Sequence, residues 1–169
     1  DGFVSTDSSS FDSLLFSQKG IDVITNTTGS MTDYYWENSY GQVLIEGDIF
    51  GWFEMPSTYD YYTGYDNGLT RGRELARDAI VYAKVFGGAD FSRYDNNSDG
   101  FCDGVVVIHA GRGAEEGVEG IWSHQGGLAT PIEYDGVVIS EYTMNPEEFG
   151  SGISGIGVFC HEYGHQLGL

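Results

Sequence analysis

Apolar residues recur at helical spacing over three stretches of the chain and alternate, or run together, over four others. Met31 to Tyr40 reads as a helix with Ser30 as its cap, Asp33 at the capping-box position and Gly41 ending it. Its Tyr34, Tyr35, Trp36 and Tyr40 are predicted to pack in the core. Arg71 to Phe86 reads as the longest clean helix, capped by Thr70, with Leu75, Ala76, Ala79, Ile80, Ala83 and Phe86 inward and Gly87-Gly88 stopping it. Gly157 to Leu169 is the third helix; Ser154 is its candidate cap, and Ile156, Phe159, Cys160, Tyr163 and Leu167 form its apolar stripe.

The strand signals are Ile21 to Thr25, the alternating Gln42 to Glu54, the β-branched run Gly104 to His109 and Val137 to Thr143. A continuous run such as Gly104 to His109 predicts a central strand buried on both faces. Residues 1 to 20 read as an extended segment lying over a core, and Pro56 to Gly68 as a loop. With no repeat and no linker, one domain is the economical reading of 169 residues.

The last helix carries the chemistry. His161 and His165 are four apart, so both imidazoles leave one face about a turn apart and can grip one zinc ion. Glu162 lies about 100° round the helix from His161, which sets its carboxylate beside the metal as general base to a zinc-activated water. This is the HExxH arrangement, followed three residues later by Gly168, where a positive φ turns the chain. The third zinc ligand is expected beyond Leu169, three residues after the glycine, so the chain reads as truncated just after HExxHxxG and, alone, as an inactive fragment whose last turn frays.

Asp95, Asn97 and Asp99 alternate as oxygen ligands in DNNSDGFCD, Gly100 permits a tight turn, the Phe101 carbonyl can point inward and Asp103 can close the shell. The loop reads as a calcium site resembling an EF-hand loop without being one, because Val106 stands where the twelfth-position acid belongs. An Asx-rich turn without an ion is the plainer reading. His109 and His124 read either as substrate contacts or as hydrogen-bonded structural histidines. Cys102 and Cys160 either pair or remain thiols, with Cys160 fitting the buried helix face.

Seven Lys+Arg against 26 Asp+Glu give a formal net charge of −19, which argues against nucleic acid and anionic membrane surfaces. No run approaches the ~18 apolar residues of a membrane span. The chain opens on Asp1-Gly2-Phe3-Val4 without a signal-peptide pattern and reads as a mature or trimmed piece.

Over YYWENSYGQVLIEGDIFGW (Tyr34 to Trp52), DNNSDGFCDGVVVIHAG (Asp95 to Gly111) and MNPEEFGSGISGIGVFCHEYGHQLGL (Met144 to Leu169), the sequence resembles the immune inhibitor A-like secreted metallopeptidases of bacteria. That resemblance implies an α/β (α+β) zincin-like catalytic domain with a twisted mixed sheet, a backing helix and an active-site helix. It also implies endopeptidase activity on proteins or peptides, catalytic zinc, structural calcium, secretion, and a longer precursor with a pro-segment and further C-terminal domains. The competing readings are a zincin of another family, metzincin- or snapalysin-like, and an inactive calcium-stabilised binding module.

Overall fold

The computed structural model describes residues 4–18 and 29–169, so the strand expected at Ile21 to Thr25 lies outside the described residues. In order, the elements are α1 (Ser8–Phe16), α2 (Met31–Asn38), α3 (Tyr59–Thr63), α4 (Gly72–Val85), β1 (Val106–Arg112), β2 (His124–Tyr134), β3 (Val137–Phe149), β4 (Gly152–Ile153) and α5 (Ile156–Gln166), with 3₁₀ turns at Phe91–Tyr94 and Ala114–Glu116. The fold is thus a mixed α/β one. β3 lies between β1, which runs parallel to it, and β2, which runs antiparallel; β4 pairs with the end of β3.

Helices cover both faces of the sheet. On one face Leu75, Ala76 and Ile80 of α4 pack against Val107, Leu128, Ile132, Ile139, Tyr142 and Met144, so α4 backs the sheet. On the other, Phe11, Leu14 and Leu15 of α1 and Met31 and Tyr35 of α2 enclose Phe159 and Cys160 of α5, with Val106 and Ile108 of β1 against them. Each buried side chain of this size contributes about 1.5–3 kcal/mol. The α1–α2 layer thus holds α5 to one face of the sheet, while α4 covers the other.

The predicted cap of α2 holds, and two further local contacts shape the fold. Ser30 Oγ accepts from Asp33 N–H at 3.0 Å while Asp33 Oδ2 accepts from Ser30 N–H at 3.2 Å, a complete capping box. β3 and β2 are joined at Asp135-Gly136, both at positive φ (56° and 82°), the geometry of a tight hairpin turn. Lys84 at the end of α4 binds both Asp135 oxygens at 2.6 and 2.7 Å, and this ion pair holds the Asp135 carboxyl below its usual range.

Other expectations are corrected. Residues 8 to 16 are helical rather than extended, because Asp7 caps them by accepting from Ser9 N–H and Phe11, Leu14 and Leu15 fall on one buried face. Of the α2 aromatics only Tyr35 is buried; Tyr34, Trp36 and Tyr40 are exposed, since an eight-residue helix on the surface has one inward face. Tyr40 and Gly41 both take positive φ after α2 (56° and 77°), and the Gly41 N–H closes the helix end by donating to Trp36 O at 2.8 Å. Thr70 does not cap α4: its hydroxyl donates to Asp66 instead. Phe86, just past α4, is 69% exposed.

The strands differ more. β3 continues through Met144–Glu147, where a connecting segment is expected. Pro146 is tolerated there because β2 ends at the His124↔Met144 pair, leaving no ladder on the side its nitrogen faces. β2 itself has no counterpart in the sequence expectations. Among the described residues, Gln42 to Glu54 forms no ladder although it alternates, and β1 stands at the sheet's edge rather than its centre. Residues 45–55 and β1 line one cleft.

Candidate metal centre

α5 begins after Gly155, without a side-chain cap; Ser154 is buried with its hydroxyl unpartnered, and its N–H donates to the Glu147 carbonyl at 2.9 Å. Ser154 therefore ties the start of α5 to β3 through backbone rather than capping it. Phe159 and Cys160 are buried and Ile156 and Tyr163 half-buried, as the stripe predicts. Leu167 is 42% exposed, because it is the C-cap and has left the helical face.

The end of α5 is closed, not frayed. Gly168 adopts φ +79°, its N–H donates to His165 O at 3.1 Å, and Leu169 N–H donates to Gly164 O at 2.9 Å. This is the paired-hydrogen-bond cap that a left-handed glycine permits, and it satisfies carbonyls the last turn would otherwise leave open.

His161 and His165 project side by side, their rings 4.9 Å apart and nearly perpendicular. With Glu162 they are the one group among the described residues whose His, Cys, Asp or Glu ligand atoms converge, all within 4.8 Å of one another. Both imidazoles are exposed and Glu162 is buried. His165 Nδ1 lies 3.2 Å from the Leu169 carbonyl, which can only accept, so Nδ1 carries the proton and Nε2 is left bare as a ligand. Two imidazole nitrogens on an open face beside a carboxylate are a donor set that suits zinc, which takes nitrogen ligands and in catalytic sites leaves a position open.

The rest of the sequence-predicted chemistry lies elsewhere. His109 is buried, and burial pushes its pKa down. Its Nδ1 donates to Ala110 O at 3.0 Å and its Nε2 has no partner. His124 sits between Trp122 O (2.7 Å) and the Tyr142 hydroxyl (3.1 Å). Both are structural histidines in this arrangement. Cys102 and Cys160 are free thiols, and burial pushes Cys160 up to about 12.

In the 95–103 loop the expected ligands point at their own backbone. Asp95 accepts from Asp99 N–H and Gly100 N–H, both at 3.0 Å; Asp99 Oδ1 accepts from Phe101 N–H at 2.9 Å; and Asp103 Oδ2 accepts from Asn96 N–H at 2.9 Å. Asn97 bridges to Asp99 through its amide at 2.9 Å, and Gly100 has φ +84°. Phe101 then bridges to Val138, so the loop is fastened to β3 whether or not it holds an ion.

A buried carboxylate organises the neighbourhood of α5. Glu147 is fully buried, and its Oε1 accepts from Ser5 N–H (2.7 Å), Thr6 N–H (2.6 Å) and Ser5 Oγ (3.2 Å), while Oε2 accepts from Gly111 N–H (2.9 Å). It joins the N-terminal segment, β1, β3 and, through its own carbonyl, the entry to α5. In the sequence Glu147 merely follows Thr143 to Pro146 and precedes Glu148, and its partners Ser5, Thr6 and Gly111 lie 142, 141 and 36 residues away.

Residues 4–169 match the family model of the immune inhibitor A peptidase M6 catalytic domain. The chain is 33% identical to Immune inhibitor A of Bacillus thuringiensis subsp. alesti over 80% of its own length and 24% of that protein's. It is 30% identical to pre-pro-metalloprotease PrtV of Vibrio cholerae serotype O1 over 95% of its own length and 21% of the relative's. The chain therefore spans less than a quarter of either relative. The catalytic-domain match extends over nearly every residue, and the chain belongs to the immune inhibitor A peptidase M6 family.

Proposed function

We propose that the protein carrying this chain is a secreted, zinc-dependent endopeptidase that hydrolyses peptide bonds of proteins, with 1–169 as the N-terminal part of a zincin-like catalytic domain. The observation that carries this reading is the convergence of the exposed His161 and His165 with the buried Glu162 on α5. The relatives bearing the names Immune inhibitor A and pre-pro-metalloprotease support it, as does the absence of a helix long and apolar enough to cross a membrane among the described residues. Pro-segment and further C-terminal domains are proposed on the same ground, the relatives being far longer.

His161 and His165 would hold the zinc, with a third ligand supplied beyond Leu169. When bound, zinc supplies Lewis acidity and lowers the pKa of a water toward about 7. Glu162 acts as general base on the attacking water and returns the proton to the leaving amine nitrogen. Its buried position on α5 keeps the carboxylate aimed at that face, because Phe159 and Cys160 on the same helix are locked in the core. The test is metal analysis and peptide cleavage by the longer protein before and after chelation. Activity lost on stripping and restored by zinc supports the reading; undiminished cleavage by metal-free protein overturns it.

For the loop at Asp95, Asn97, Asp99, Phe101 and Asp103 we propose structural calcium, supported by the alternating oxygens and the Gly100 turn. Binding requires the carboxylates to share their oxygens between the backbone amides and the ion. A ligand that binds only the folded state at 100 Kd adds about 2.7 kcal/mol of stability. A melting temperature of calcium-stripped protein that does not move on adding calcium reduces the loop to an Asx turn.

A further inference from the structure

β3 presents two unlike faces. Tyr142 and Met144 enter the apolar core under α4, so Thr143, Asn145 and Glu147, which alternate with them, turn to the other face. The register agrees: Val106 and Ile108, which pack with Phe159 and Cys160 of α5, stand opposite Thr143 and Asn145 in the parallel ladder. Ser154 continues the β3–β4 pairing by one residue, its N–H donating to Glu147 O at 2.9 Å, and so joins the same face. Where α5 lies against β3, the sheet therefore offers it a row of polar side chains.

Thr143, Asn145 and Ser154 are all fully buried, and Thr143 Oγ1, Asn145 Oδ1 and Nδ2, and Ser154 Oγ have no hydrogen-bond partner among the described residues. Buried polar groups left so forfeit the bonds they have in water. Glu147, the carboxylate of the row, is committed to Ser5, Thr6 and Gly111. Residues two apart on one strand face stand about 6.6 Å apart, a gap that one water with two bonds of about 2.8 Å spans.

We propose that Thr143, Asn145 and Ser154 hold ordered water between β3 and α5, a hydration site on which the helix carrying His161, Glu162 and His165 is seated. Water is the ligand this donor set recognises. It makes about three bonds when buried and needs both donors and acceptors, and the Asn145 amide with the two hydroxyls offers both. A cation would need an uncommitted carboxylate in the row, whereas the oxygens of Glu147 already face N–H donors. The site adjoins the start of α5, which has no side-chain cap and whose first-turn N–H groups are further donors for such water.

The direct test is a crystal structure of the longer protein at a resolution that shows ordered water. Water density is expected within hydrogen-bond distance of Asn145 and of at least one of Thr143 and Ser154. A dry site, side chains bonded directly to other protein groups, or density that refines as a metal ion overturns the proposal. The energetic test is Asn145→Leu, close in size and without the amide. If Asn145 holds water, the variant strands its partners: the unfolding equilibrium constant should rise by about tenfold, and the water should be gone from the variant's crystal structure. If the amide is buried dry, removing it is neutral or stabilising, so an unfolding constant that is unchanged or lower overturns the proposal. Should the variant not fold, the water density of the parent protein decides. None of these outcomes depends on zinc or on peptidase activity.

Discussion

Tyr35 donates its hydroxyl to the carbonyl of Cys160 at 2.6 Å, across 125 residues of sequence and one residue before His161. This bond, with the Tyr35–Tyr163 ring contact at 5.9 Å, fastens α2 to the middle of α5. Gly164 lies beside it, where a Cβ would stand in van der Waals contact with the Tyr35 hydroxyl at 3.4 Å. Tyr35→Phe keeps the ring and removes the bond, so about 1 kcal/mol of stability should be lost. The check is the denaturation midpoint of the longer protein; a midpoint unchanged within error would show that the bond does not hold α5.

Glu162→Gln keeps the shape of the side chain and both imidazoles but removes the proton carrier. Turnover in the longer protein should fall by about 10² to 10⁴, while zinc content measured by metal analysis stays the same. Near-normal kcat in a correctly folded, zinc-loaded variant assigns the base elsewhere.

Glu147→Ala strands three N–H groups, of Ser5, Thr6 and Gly111, that now share one buried carboxylate. Each unsatisfied buried donor costs about 1–3 kcal/mol, and water entering beside the N-terminal segment would relieve part of it, so a net loss of about 2–5 kcal/mol is expected. Limited proteolysis should then cut first around residues 4 to 8. A variant as resistant as the parent protein would mean the segment is held by α1 packing alone.

The Lys84–Asp135 pair predicts an acid dependence. Asp135 has its folded-state pKa lowered, chiefly by the hydrogen bond from Lys84, so the stability it contributes is present above the unfolded carboxylate's pKa and is lost as pH falls through the depressed folded value. Asp135→Asn should flatten the acid limb of the stability curve, the comparison being melting temperature against pH for the two proteins. The pair is partly solvated, so a small effect that weakens with added salt is expected.

The sequence by itself determined the parts set by near neighbours. The HExxH spacing put His161, Glu162 and His165 on one helix face, the Gly168 turn followed from glycine's access to positive φ, and Ser30 with Asp33 made the cap of α2. Asp135-Gly136 carried a legible hairpin signal as well, and with it β2 could have been found. Tertiary structure alone decided what depends on groups far apart in the chain. Gln42 to Glu54 alternates like a strand but becomes one only if another edge comes within hydrogen-bonding distance, and among the described residues it lines a cleft with β1 without pairing. Glu147 is one more acid in an acidic chain until folding brings Ser5, Thr6 and Gly111 to it. Periodicity reports which face of an element is apolar; it carries no information about which backbone edge or buried charge meets which partner, because those pairings are fixed by packing of the whole.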